Sequence, residues 1–77
     1  MNKFELKKVI GNNIKKYRKL SKEKLTQEDL AKDIGVKRAL IGALESNSSD
    51  VCLSIYNLYK ISKRLNIRID KFFEGAL

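Results

Sequence analysis

The side chains that could do chemistry in this chain are mostly cationic, and the groups that usually catalyse reactions are scarce. Seventeen lysines and arginines stand against nine acids, and histidine is absent. The usual general base and the commonest metal ligand are therefore missing, and one cysteine gives no zinc-binding spacing. Glu28, Asp29 and Asp33 lie close together, but acids on a helix face are usually solvated or paired with lysine. We predict no enzyme, no metal site and no cofactor.

The net charge of +8 and the pI near 9.8 are high for so short a chain. They indicate a polyanionic partner, with nucleic acid favoured over an acidic membrane surface. Nine of the seventeen cations fall within the first 24 residues, namely Lys3, Lys7, Lys8, Lys15, Lys16, Arg18, Lys19, Lys22 and Lys24. The alternative is that roughly half of these lysines only solvate a helix face.

Residues 26–45 must position any such binding groups, and they read as two short helices joined by a tight bend. The hydroxyl of Thr26 can cap the first helix, and Asp29 completes a near-capping-box. Gly35 can adopt the left-handed conformation that ends a helix. Ala31 is small enough to let the two helices cross closely. The pattern predicts a bihelical unit, although any helical hairpin of a small bundle would share part of it.

The rest of the chain adds three more helices around this unit. We expect helices over residues 4–21, 27–34, 37–45, 55–65 and 69–74. Gly11 and the pair Asn12-Asn13 have low helix propensity, so a boundary or fraying is expected in the first helix. Ile55, Leu58, Ile61 or Ser62, and Leu65 should face inward on the fourth helix. The fold class predicted is all-α with five helices, in one domain over residues 1–77.

Apolar runs are far shorter than the roughly 18 residues of a membrane span. The start of the chain, MNKFELKK, lacks the apolar core of a secretory signal. The lone Cys52 cannot form a disulfide within the chain. We therefore expect a cytoplasmic protein with no membrane partner.

Three motifs resemble the lambda-repressor-like helix-turn-helix family, also called the xenobiotic-response-element family. They are TQEDLA from Thr26, IGV from Ile34 and I-x-x-L-E from Ile41, and the likeness spans roughly residues 10–73. A narrower likeness is to the controller proteins of restriction–modification systems, through the run IGALESNSSD, the helix after it and the closing FF. Those proteins often carry arginine at the position of Ser49, so this chain departs from them there.

The resemblance implies a transcription regulator whose second and third helices form the helix-turn-helix. In that motif the third helix enters the major groove by its N-terminal end. The candidates for base contact are Lys37, Arg38, Ala39 and Leu40. Arg38 is the strongest, because a guanidinium can donate to guanine O6 and N7 together, whereas Ala39 and Leu40 offer only apolar contact. Small residues at Ala39, Gly42 and Ala43 leave direct readout thin, so DNA shape should contribute.

The candidates for phosphate contact are Gln27, Lys16, Arg18, Asn47, Ser48 and Ser49. Gln27 is a backbone contact by resemblance, although its amide could instead brace the neighbouring helix. The serines and the asparagine follow the third helix, where the family often contacts phosphate. Arg18 has an alternative too, because it could pair with Glu45 and lock the first helix to the third.

One such domain reads few base pairs, so a homodimer on a palindromic double-stranded DNA operator is expected. Surplus apolar residues late in the chain are candidates for the dimer interface, namely Ile67, Ile69, Phe72 and Tyr56. The alternative places most of them in the core. RNA polymerase is a further partner considered for such a regulator.

Other functions stay open at this point. A phage or plasmid repressor or an antitoxin would share the motifs. A protein-interaction module that kept the fold would explain the small residues of the third helix.

Overall fold

The computed structural model describes residues 1–46 and 54–76, and the regular structure in these residues is helical. Four α-helices are followed by a C-terminal 3₁₀ helix: α1 (Lys3–Leu20), α2 (Gln27–Ile34), α3 (Arg38–Glu45), α4 (Ile55–Leu65) and the 3₁₀ helix (Ile69–Phe73). The all-α prediction is confirmed, with α-helix boundaries shifted by at most one residue. None of the helices described has the length and apolar character needed to cross a membrane.

The predicted fifth α-helix is wrong, because Ile69–Phe73 forms a 3₁₀ helix. Five residues are too few to offset the cost of nucleating an α-helix, and short 3₁₀ turns suit such a segment. Tertiary contacts hold it: Phe72 is fully buried. The side-chain amide of Asn13 donates to the carbonyls of Phe72 and Glu74 at 2.8 and 3.0 Å. Asn13 of α1 thus supplies hydrogen bonds to these two carbonyls, which in a longer α-helix would come from the N–H groups of the next turn.

The predicted boundary near Gly11 is also wrong, because α1 runs without interruption past it. Gly11 lies where α1 meets α3, and a Cβ there would come within 2.1 Å of the Leu44 carbonyl oxygen. Glycine costs a helix about 1 kcal/mol relative to alanine. Here the missing side chain allows the two backbones to touch, so packing outweighs propensity.

The core lies where the four α-helices and the 3₁₀ helix meet. Its buried apolar residues are Ile14, Leu25, Leu30, Ala31, Ile34, Ile41, Leu44, Leu58, Ile61, Leu65 and Phe72. Ile55 was expected to face inward on α4 but is 83% exposed. Ile55 is the first residue of α4, directly after the N-cap Ser54, and the buried face of the helix begins about one turn later at Leu58.

Candidate nucleic-acid interface

The bend between α2 and α3 is built as the sequence predicts. The Thr26 hydroxyl accepts from the Asp29 N–H at 3.0 Å, and the Asp29 carboxylate accepts from the Thr26 N–H at 3.1 Å. The hydrogen bond from the Thr26 backbone lowers the pKa of Asp29. Gly35 is left-handed, with φ 76°, and the Val36 N–H donates to the Ala31 carbonyl at 2.9 Å. These bonds close the C-terminus of α2 and turn the chain into α3.

An ion pair buried between α1 and α3 anchors the C-terminal end of α3. The Arg18 Nε and Nη2 groups donate to the two carboxylate oxygens of Glu45 at 2.7 and 2.8 Å, and Nη1 donates to the Leu25 carbonyl at 2.8 Å. Both side chains are more than nine-tenths buried, and the hydrogen bonds to Glu45 raise the pKa of Arg18. The predicted pairing of Arg18 with Glu45 is present.

This burial overturns the assignment of Arg18 as a phosphate contact. All three guanidinium nitrogens are already bonded inside the protein. These bonds use three of its five N–H donors, and the side chain is only 8% exposed. Moving it out to a phosphate would break the buried pair, which is strongly unfavourable.

A second cation from α1 binds the same end of α3. The Lys7 ammonium donates to the carbonyls of Ala43 and Ser46 at 3.0 and 2.6 Å. The last carbonyls of a helix lack partners within the helix and carry negative partial charge, so a lysine there stabilises the helix end. Sequence reasoning missed this role, because Lys7 looks like any other lysine of the basic first helix.

Gln27 joins α2 to the same ion pair. Its Nε2 donates to the Glu45 Oε1 at 3.0 Å, and its Oε1 lies 3.4 Å from where a Cβ of Gly42 would be. The bracing alternative for Gln27 is therefore present. The side chain is half-buried and opens α2, so its phosphate contact stays a prediction.

The N-terminal end of α3 is exposed instead of anchored. Lys37, Arg38 and Ala39 are all exposed, and the N-cap Lys37 makes no capping hydrogen bond with its side chain. Neither cation has an acidic partner in the part of the chain that the structure describes. Leu40 does not join them, because it is half-buried and packs against the core. Of the predicted base-contact residues, the structure brings together the first three.

The remaining predicted phosphate contacts lie elsewhere or outside the described residues. The Lys16 ammonium is 3.9 Å from a carboxylate oxygen of Glu74, beyond the 3₁₀ helix, and its phosphate contact stays a prediction. Asn47, Ser48 and Ser49 fall outside the residues that the structure describes, so their role stays a prediction.

Helix α4 holds the bend through two cations that sequence reasoning did not single out. The Lys60 ammonium donates to the Ile34 carbonyl at 2.9 Å, next to Gly35. Arg64 binds Asp33 at 2.7 Å and Glu23 at 2.8 Å, and it lowers the pKa of Glu23. These partners lie 26 to 41 residues away in sequence, so spacing gives no signal for them.

The predicted dimer residues divide into exposed and buried. Tyr56 and Ile69 are exposed. The large apolar residues Ile55, Tyr59 and Phe73 are also exposed on the same two elements. Ile67 is half-buried against the core. Phe72 is fully buried, so its assignment to the interface is wrong; its ring fills the core beside α1.

Comparison with known proteins identifies the class that this fold defines. The chain belongs to the helix-turn-helix family HTH_3, which matches residues 14–72. Proteins of this class are DNA-binding transcription regulators and not enzymes. Within the class, this chain is similar to the controller proteins of restriction–modification systems.

Two curated relatives show these likenesses in sequence. One is an uncharacterized HTH-type transcriptional regulator of Methanocaldococcus jannaschii, 42% identical over 62 residues that cover 80% of this chain and 88% of the relative. The other is the control protein C.SmaI of Serratia marcescens, 33% identical over 68 residues, 88% of this chain and 76% of that protein.

Two solved structures show the same fold. The restriction–modification controller protein C.AhdI of Aeromonas hydrophila superposes with a TM-score of 0.76 at 25% identity, over 87% of this chain and 96% of its own. An HTH_3 family transcriptional regulator of Vibrio cholerae superposes with a TM-score of 0.81 at 27% identity, over 96% of this chain and 39% of its own.

Proposed function

We propose that this protein acts as a homodimer on a palindromic operator, as the controller of a restriction–modification system. One observation carries the proposal of specific DNA binding. Helix α3 is fixed at its C-terminal end by α1 while its N-terminal end presents two exposed cations. A side chain that must read a base edge needs such a rigid support, because looseness of about an ångström spoils a binding site.

Base reading falls to the exposed end of α3. Arg38 donates to O6 and N7 of a guanine, and Ala39 packs on a thymine methyl group. Lys37 reaches a base or a phosphate beside them. The residues one turn further along, Gly42 and Ala43, are too small to add hydrogen bonds, so the DNA sequence is also read through its shape.

Phosphate contacts position this helix in the groove. Gln27 opens α2, where unpaired backbone N–H groups and the helix dipole attract an anion. Its amide already bonds Glu45, so Gln27 couples the phosphate to the anchored end of α3. Asn47, Ser48 and Ser49 are proposed to hold a second phosphate directly after α3, as the family resemblance implies.

Dimerisation supplies the second half-site. Tyr56 and Tyr59 on α4 and Ile69 on the 3₁₀ helix are exposed apolar residues, on elements other than the exposed end of α3, and we call these three residues the apolar patch. Exposed apolar surface of this kind is typical of protein contacts. A twofold contact through this patch would present a second copy of α3 to the DNA. The operator would then consist of two half-sites related by the same symmetry, which is a palindrome.

The test of base reading is a gel-shift titration with operators selected from random DNA. Replacing Arg38 with alanine should weaken binding by about 1–3 kcal/mol and relax one base position in each half-site. Arg68→Ala is the matched control, because Arg68 is exposed and loses the same charge but lies at the 3₁₀ helix, 3.1 Å from Asp70. Equal selectivity in Arg38→Ala and the wild type would disprove this role.

The test of the interface is sedimentation of Tyr56→Asp and Ile69→Asp, which should be monomeric. Leu20→Asp is the control, since Leu20 is 68% exposed at the end of α1, outside the patch. Dimers that persist in both patch variants would refute the assignment.

The controller role is finer than DNA binding and needs its own test. A controller activates or represses its own promoter according to how many dimers are bound, and as a transcription regulator it works beside RNA polymerase in the cytoplasm. A reporter driven by that promoter should rise and then fall as the protein is titrated in. A purely falling response would indicate a phage-type repressor or an antitoxin instead.

A further inference from the structure

The cations of this protein divide into those that bind the protein itself and those that do not. Lys7, Arg18, Lys60 and Arg64 hold helices together through the bonds described above. In contrast, Lys8, Lys15 and Lys19 are all exposed on α1 and have no acidic partner among residues 1–46 and 54–76. We call these three residues the lysine stripe.

The lysine stripe follows one face of α1. Its members are spaced by seven and four residues, which brings them to nearly the same angle on a helix of 3.6 residues per turn. The stripe is about 16 Å long, from the rise of about 1.5 Å per residue. It carries three positive charges and no negative one along that length.

The lysine stripe borders the side of α1 that meets α3. On α1 the stripe lies about 140° around the axis from the ridge of Ile10 and Ile14 that packs into the core. On α3 the exposed Ala39 lies almost opposite the buried Ile41 and Leu44. The two helices touch at Gly11 and Leu44 and bury their inner faces in one core. Gly11, which meets α3, lies about 60° around α1 from the stripe, so the stripe borders the contact with α3.

We propose that the lysine stripe is a second DNA contact, which binds the phosphates of the duplex beside the groove that α3 enters. The inference rests on the proposed function, because it assumes that α3 faces DNA. A duplex carries one charge per about 1.7 Å of its axis, so a stripe of this length meets several phosphates. Lysine suits this task, since phosphate contacts position a protein without reading sequence.

Phosphate binding by the lysine stripe predicts a defined part of the salt dependence of DNA affinity. Each neutralised phosphate adds about 0.9 to the slope of log affinity against log salt, so three add about 2.7 per protomer. Between 50 and 200 mM salt this corresponds to roughly a 40-fold change in affinity for each bound protomer. Sequence preference should not change, because the contact is the same for every base sequence.

The experiment is a salt titration of the triple variant Lys8→Gln, Lys15→Gln, Lys19→Gln on the selected operator and on random DNA. Glutamine keeps the helix propensity of lysine, and thermal unfolding checks that the fold is intact. The charge-matched control replaces Lys3, Lys32 and Lys71 with glutamine, which are exposed cations outside the stripe and outside the proposed dimer patch. Of these, Lys71 lies 3.7 Å from the Glu74 carboxylate. The stripe variant should lose about 2.7 per protomer from the slope on both DNAs, with its preference for the operator kept.

Two outcomes would overturn the proposal: a wild-type slope in the stripe variant, or an equal loss of slope in the control. The second outcome would show that only net charge matters. Failure of the proposed function looks different, because the wild-type protein would then prefer no DNA sequence at all.

Discussion

The two ends of α3 lie about two turns apart, and the rest of the domain binds one end and leaves the other exposed. At the C-terminal end, Arg18, Lys7 and Gln27 converge on Glu45 and the last carbonyls. At the N-terminal end, Lys37 and Arg38 are exposed, and no side chain caps the helix. The end whose cations make no ion pair in the described part of the chain is the end proposed to meet DNA.

The contrast shows that, in this small protein, different residues of one helix serve folding stability and the proposed DNA binding. The interactions that fix α3 come from α1 and α2 and are buried or half-buried, so losing one partner of them lowers the free energy of unfolding. The cations proposed to read DNA are exposed to solvent and make no ion pair within residues 1–46 and 54–76. Substitutions at the anchored end should therefore change stability, and substitutions at the exposed end should change affinity.

The largest effect is expected from Glu45→Ala, which leaves the guanidinium of Arg18 buried without its carboxylate. Breaking a buried pair in this way costs about 3–5 kcal/mol of the free energy of unfolding, measured by urea denaturation. The control is Arg18→Met with Glu45→Leu, because removing both charges together is often neutral. If the double variant were as unstable as the single one, the loss in Glu45→Ala would not come from the unpaired charge of Arg18.

A smaller loss is expected from Gly11→Ala at the contact of α1 with α3. The new Cβ would lie 2.1 Å from the Leu44 carbonyl oxygen, and overpacking of this kind costs about 1–3 kcal/mol or more. Gly42→Ala is the matched control, since its Cβ meets only the flexible Gln27 side chain at 3.4 Å. That variant should gain up to about 1 kcal/mol from helix propensity. Equal effects from the two alanines in urea unfolding would contradict the close contact.

At the exposed end, Lys37→Asn should stabilise the protein and weaken DNA binding. Asparagine is a good N-cap, and a capping side chain is worth about 1 kcal/mol, whereas Lys37 makes no capping bond. Thermal unfolding and a gel shift on the same variant measure the two changes. A gain in both stability and DNA affinity would contradict the idea that the N-terminal end of α3 serves binding at the expense of stability.

The smallest effect concerns the exposed ion pair that links the α1–α2 connection to α4. Hydrogen bonds from Arg64 lower the pKa of Glu23 from its ordinary 4.5. A lowered carboxyl pKa adds stability that is complete above the unfolded value and is lost as the pH falls through the folded value. Below pH 4.5 the wild type should therefore lose more stability than Glu23→Gln.

The control for this acid effect is Glu28→Gln, because Glu28 is exposed and has no ion pair in the described part of the chain. Urea midpoints measured across the acid range compare the two variants. Parallel curves for Glu23→Gln and the wild type would show that the Arg64 pair contributes nothing.

Local signals in the sequence determined the elements and the bend. Thr26, Asp29 and Gly35 act through atoms within a few residues of themselves, so their capping and their left-handed turn could be predicted from types and spacing. The apolar periodicity likewise placed the four α-helices within a residue of their ends. The exposed cations at the start of α3 followed from that placement.

Only the tertiary structure decided which of the basic residues are available to a partner. Arg18 and Lys7 look like members of a basic helix, but they bind groups 27 to 39 residues away. The same is true of Gly11, which weakens a helix by propensity and yet permits its closest contact. The sequence predicts Phe72 at the dimer interface and Leu40 at the DNA, whereas in the structure Phe72 lies in the core and Leu40 packs against it. Long-range packing chooses one partner among many residues of equal type, and no local pattern contains that choice.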